Sequence, residues 1–124
     1  KQQDGPLPSF MQLVHANRML DLAPRQGKPI EAEVQVITLG REAAWIAFPG
    51  EVFVELGIAL KKRSPFRHTL ITTLANGNEG YIPDRRSYAE RAYEAESARV
   101  EPGSGEKLVE AAAGLLTELH AQGH

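Results

Sequence analysis

The stretch from Ile30 to Val36 constrains this chain more than any other. Ile30, Ala32, Val34 and Val36 alternate with Glu31, Glu33 and Gln35. A period of two puts the apolar set on one face of a β-strand and the polar set on the other. Shortly after it, Ala43-Ala44-Trp45-Ile46-Ala47-Phe48 is apolar throughout. Such a run reads as a strand covered on both faces, with Trp45 and Phe48 in the core. Leu39-Gly40-Arg41-Glu42 supplies the turn, so the two strands form a hairpin.

Helical periodicity surrounds this hairpin. Ser9 caps a helix that runs to about Leu22, with Phe10, Leu13, Val14 and Leu20 on one face. Residues 1–8 contain two prolines and a glycine and read as a flexible arm. Pro49-Gly50 stops the apolar strand, and a second helix is expected from about Glu51 to Arg63, ended by Pro65. His68 to Ala75 reads as another strand, followed by the loop Asn76-Gly77-Asn78-Glu79-Gly80. Tyr81-Ile82 is extended, and Asp84 caps a short helix through about Glu90. Beyond Pro102-Gly103, Leu108, Val109, Ala112, Leu115, Leu116 and Leu119 form an amphipathic stripe that ends near Gly123.

Strands alternate with helices, so the class is α/β: a small mixed sheet flanked by helices. The 124 residues form one domain or part of one, and about four strands make a small sheet for a complete enzyme. That size fits a fragment of a larger α/β domain. Such a piece exposes apolar surface, and a second copy would cover any unpaired sheet edge, giving a homo-oligomer.

The composition excludes several classes. A net charge of −2 offers no basic face for nucleic acid. Lys61-Lys62-Arg63 suits the negative end of a helix dipole instead. The absence of cysteine excludes disulfides, thiolate nucleophiles and zinc-thiolate clusters. No apolar run reaches the roughly 18 residues of a transmembrane helix. No Ser-His-Asp arrangement is evident.

Two strand ends remain for chemistry, since ligands in open α/β sheets bind at the carboxyl ends of strands. At Phe48-Pro49-Gly50-Glu51 a carboxylate stands either as a complement to a helix dipole or as a ligand or base. At Asn76–Tyr81 a glycine-rich loop is either an ordinary turn or a close approach to a ligand.

At these positions the chain resembles the neutral, non-lysosomal ceramidases. That family has a Leu-Gly or Ile-Gly turn and an apolar strand leading into Pro-Gly-Glu. Later come an Asn, a Tyr-Ile pair, a Tyr and a Tyr-Glu-Ala. Here the same order is Leu39-Gly40, Pro49-Gly50-Glu51, Asn76, Tyr81-Ile82, Tyr88 and Tyr93-Glu94-Ala95. The resemblance runs from about Ile30 to the last helix.

The resemblance implies a zinc-dependent amidohydrolase that cleaves the amide of an N-acyl sphingosine-type lipid. It makes residues 1–124 the C-terminal part of the catalytic domain, whose remainder is a necessary partner. Glu51 and Tyr81 would be zinc ligands, Tyr93 would lie near the reacting amide, and Asn76 would shape the substrate loop. Two histidines from outside these residues would complete the metal site, so the chain alone is expected to be inactive. A secreted or extracytoplasmic location also follows from the family. The sequence departs from the family where threonines are usual: Phe53-Val54 stand in the region after Pro49-Gly50-Glu51, and Pro83-Asp84 follow Ile82. The family's histidine motifs and immunoglobulin-like domain have no counterpart among these residues. His15, His68, His120 and His124 match no family ligand. The alternative reading is a non-catalytic α/β module that binds a partner.

Overall fold

A computed structural model describes residues 5–123; the start of the expected arm and His124 lie outside them. The elements are α1 (Phe10–Leu22), a 3-10 turn (Ala23–Arg25), β1 (Gln35–Leu39), β2 (Ala43–Ala47), β3 (Glu51–Val52), α2 (Val54–Arg63), β4 (His68–Thr72), β5 (Tyr81–Ile82), α3 (Arg85–Ala89), α4 (Tyr93–Ser97) and α5 (Ser104–Gln122). The class is α/β, as the sequence implies.

The expected hairpin forms, with β1 antiparallel to β2 and Ile37 opposite Trp45. Its ladder starts at Gln35, later than the alternation suggests. Ile30, Ala32 and Val34 still turn inward while Glu31 and Glu33 stay exposed. The pattern of burial was therefore legible, but which residues find a hydrogen-bonding partner was not. Strand β4 joins β2 in parallel, with Trp45 opposite Leu70, giving the mixed order β1-β2-β4.

Helices cover one face of this sheet. Ala44, Ile46 and Phe48 pack with Leu56 and Leu60 of α2 and with Val109, Ala112 and Leu116 of α5. At about 25 cal/mol per Å² of apolar surface removed from water, this shared cluster is the main source of stability. Gly105 lets α5 start close to its neighbours: a Cβ there would meet Leu56 Cδ1 at 2.4 Å and the Pro83 carbonyl at 2.8 Å. Lys61, Lys62 and Arg63 end α2 as the dipole argument requires.

The other face is open. Ile37, Trp45 and Leu70 are register neighbours across the three strands and are 61%, 55% and 51% exposed. Trp45 is thus not a core residue, and its indole N–H donates to the Thr72 hydroxyl. An all-apolar strand shows that two faces avoid water; it does not show which face this chain itself covers.

Helix α1 begins at the expected capping box, where the Gln12 N–H donates to the Ser9 hydroxyl and the Ser9 N–H to the Gln12 side chain. Its apolar stripe is not buried, however: Phe10 is 67% and Leu20 73% exposed. The helix meets α4 through the Phe10 ring and through polar links. His15 pairs with Glu96 at 2.8 Å, and Arg18 donates to the Glu96 carbonyl at 2.8 Å. Asp84 takes the N-cap position of α3, but the first N–H of that helix donates to Glu106 at 2.8 Å instead.

Candidate functional site

The second helix does not start at Glu51. Glu51 and Val52 form the short strand β3, and α2 begins at Val54. Strand β3 runs parallel to β5 with Glu51 opposite Tyr81 and Val52 opposite Ile82. Neighbouring strands lie about 4.8 Å apart, so the Glu51 and Tyr81 side chains leave adjacent points on one face.

Pro-Gly makes this pairing possible. A Cβ on Gly50 would meet Ile82 Cδ1 at 2.6 Å and the Gly80 carbonyl oxygen at 2.7 Å. Only a residue without a side chain lets the two strands approach this closely. The loop before β5 is laced to the same corner: the Leu74 N–H donates to the Gly50 carbonyl, Glu79 N–H to Pro49, and Glu51 N–H to Gly80. Leu74 and Asn76 hold left-handed φ angles of 54° and 63°, which fold the loop back. Backbone strain of this kind persists only where the surroundings enforce it.

The chemistry of the cluster is electronegative. The Glu51 carboxylate raises the Tyr81 phenol above its ordinary range; burial, Tyr93 and Glu94 add to the effect. Tyr81 is therefore held as a neutral phenol in the bare protein. Glu51 enters no ion pair among the described residues. Glu51, Glu94 and Tyr93 all act on Tyr81 in the same direction, raising its pKa.

Helix α4 brings Tyr93 and Glu94 to this region, and the Phe10 ring stacks on Tyr93 at 6.0 Å between centroids. Sequence reasoning did not place Glu94 here. Residues 93–97 carry too short a run for a helical period to show, so the direction of Glu94 was invisible. Its neighbour two positions on, Glu96, faces α1 instead.

Asn76 serves the loop: its amide donates to Gln35 Oε1 at 2.9 Å. Among the histidines, His15 is engaged by Glu96, and His68 lies exposed at the start of β4. The His120 ring meets Phe66 edge-on at 5.0 Å. Glu51 and Tyr93 are exposed at this corner and Tyr81 is half-buried.

No protein-family model and no curated protein matches the chain. Solved structures do. A ceramidase complexed with C2 superimposes with a TM-score of 0.65 at 20% identity. The neutral ceramidase from Pseudomonas aeruginosa gives 0.62 at 21% identity. The chain has the fold of part of a neutral ceramidase. The match covers 72% of this chain and 15% of each ceramidase. This chain therefore spans a small share of the length of the ceramidases it resembles.

The ceramidase-like fold sets the frame for a metal test. A carboxylate and a phenol are oxygen donors of the kind that zinc accepts. They are two donors, and zinc sites commonly use three or four protein ligands. Among the described residues, no group of three or more His, Cys, Asp or Glu is placed to hold a metal ion. The residues present fit part of a metal site and not a complete one. Among the same residues, no helix is long and apolar enough to cross a membrane.

Proposed function

We propose that this chain is the part of a ceramidase-like zinc amidase that carries Glu51 and Tyr81, in a protein that hydrolyses the amide bond of an N-acyl sphingosine-type lipid. The observation that carries the reading is the pairing of Glu51 with Tyr81 on β3 and β5, within a fold shared with neutral ceramidases.

When bound, zinc supplies Lewis acidity, polarising a carbonyl and lowering the pKa of a bound water to about 7. Glu51 contributes a carboxylate oxygen and negative charge. Tyr81 contributes its phenol oxygen, kept protonated by the neighbouring carboxylates until a cation offsets their charge. Tyr93, at the margin of the same region, orients the amide or donates to its oxygen. Histidines from the remainder of the catalytic domain complete the ligand set.

A second reading, a partner-binding module without catalysis, draws on the open sheet face at Ile37, Trp45 and Leu70. The two are separated by zinc content and amide hydrolysis in the full-length protein before and after Glu51→Ala. Loss of both supports the amidase; loss of neither leaves the module.

A further inference from the structure

A cavity of about 580 Å³ is lined by Ile82 of β5 and not by its neighbour Tyr81. It opens between the 3-10 turn, the extended stretch before β1 and the start of α5. Its volume is in the range of small-molecule sites. Four cations line it, Arg25, Lys28, Arg99 and Lys107, against one carboxylate, Glu101.

The cations are of two kinds. Arg99 is held by Asp21 at 2.6 Å, and Arg25 lies 3.8 Å from Glu79. These pairs fix the walls. Lys28 and Lys107 enter no ion pair among the described residues and are exposed. The N-terminus of α5 reaches the same wall through Ser104, Lys107 and Leu108; its N-cap, Gly103, has no side chain, the Ser104 N–H donates to the Glu101 carbonyl, and Glu106 stands in the first turn. Apolar surface lies beside this charge. Ile82 is buried to 1% exposure, and Ile30 and Leu108 are half-buried.

We propose that this cavity binds the phosphate monoester head of an amphiphile. The phosphate meets Lys28, Lys107 and the α5 N-terminus, and the first carbons of the chain lie against the half-buried Ile30 and Leu108. Two free ammonium groups beside a helix dipole suit a dianion better than a neutral head, and the apolar wall distinguishes an organic phosphate from the inorganic ion. This site is separate from the Glu51–Tyr81 cluster and does not depend on its function.

The test is a titration of the 124-residue chain with octyl phosphate, inorganic phosphate and octyl glucoside, followed by backbone amide NMR. Octyl phosphate should bind most tightly and shift Lys28, Ile30, Lys107 and Leu108. The Lys28→Ala, Lys107→Ala double variant should weaken it by about tenfold or more, since one charge-assisted hydrogen bond suffices for that. Lys28→Arg, Lys107→Arg should retain binding, which guards against a folding effect. Phosphatidylcholine vesicles containing phosphatidic acid identify the source: lysine-dependent sedimentation points to a membrane headgroup, and binding of soluble octyl phosphate alone points to a free metabolite. Equal binding of octyl glucoside, no saturable binding of octyl phosphate, or binding unchanged in the double Ala variant overturns the proposal.

Discussion

Glu51 and Tyr81, far apart in sequence, are opposite one another on parallel strands, and the charge of the first is the largest influence on the ionisation of the second. Gly50 secures the relationship, because any side chain there would strike Ile82 and Gly80.

The electrostatic half of this is open to titration. Glu51→Gln removes the leading cause of the raised Tyr81 pKa and keeps the side chain's shape. The Tyr81 phenol should then ionise at lower pH than in the parent chain, followed by tyrosinate absorbance with Tyr93→Phe as background. Burial and Glu94 remain, so the fall should be partial. An unchanged curve would separate the two residues.

The steric half is tested by one methyl group. Gly50→Ala should destabilise the chain by about 1–3 kcal/mol, the usual cost of overpacking. Gly114, in α5, has open space where its Cβ would go. Gly114→Ala should therefore stabilise by about 0.5–1 kcal/mol. Denaturant midpoints of the two variants should move in opposite directions.

Tyr88 predicts a loss of stability in alkali. Burial pushes its phenol up to about 12, and its hydroxyl donates to the Val100 carbonyl at 2.6 Å. The unfolded chain releases this proton near pH ~10. The folded state thus binds more protons above that pH, and stability falls as pH rises. The contribution of Tyr88 should be complete below pH ~10 and lost as pH approaches about 12. Tyr88→Phe should flatten that part of the curve and cost about 0.5–1.5 kcal/mol at neutral pH.

The limits of the sequence follow from what each signal measures. Alternation around Ile30–Val36 reports burial, and it gave the inward residues correctly although the ladder starts only at Gln35. The α5 stripe needed no correction, because a 19-residue helix spans enough turns for its period to show. Glu51 was misplaced at the start of a helix. A strand of two residues has no period, and its pairing with β5 is a long-range contact that only folding reveals. Trp45 and the α1 stripe failed for a different reason: an apolar residue avoids water in the whole assembly it belongs to, and these faces are open in the chain alone. Tyr81 and Tyr93 came from the ordered resemblance; Glu94 stood in the same Tyr-Glu-Ala motif, but nothing in the sequence gave the direction of its side chain.

The open sheet face gives a prediction about association. Trp45→Ser removes an exposed ring, so it should change stability by less than about 1 kcal/mol. It should also reduce self-association, measured by sedimentation velocity, because exposed apolar patches drive contact. A large loss of stability would place Trp45 in a core.

The account's central claim is that Glu51 and Tyr81 together serve one metal in an amidase. The most direct measurement is zinc content and N-acyl sphingosine hydrolysis on the same samples of the full-length protein and its variants. Glu51→Ala should lose both, since it removes a charged ligand. Tyr81→Phe keeps the ring and deletes one oxygen, so it should lose most of the rate while its melting temperature barely moves. Tyr93→Phe should keep its zinc and lose about 10²–10³ in rate, as expected for one oxyanion-type donor. A Glu51→Ala protein with full zinc and full hydrolysis would contradict the account.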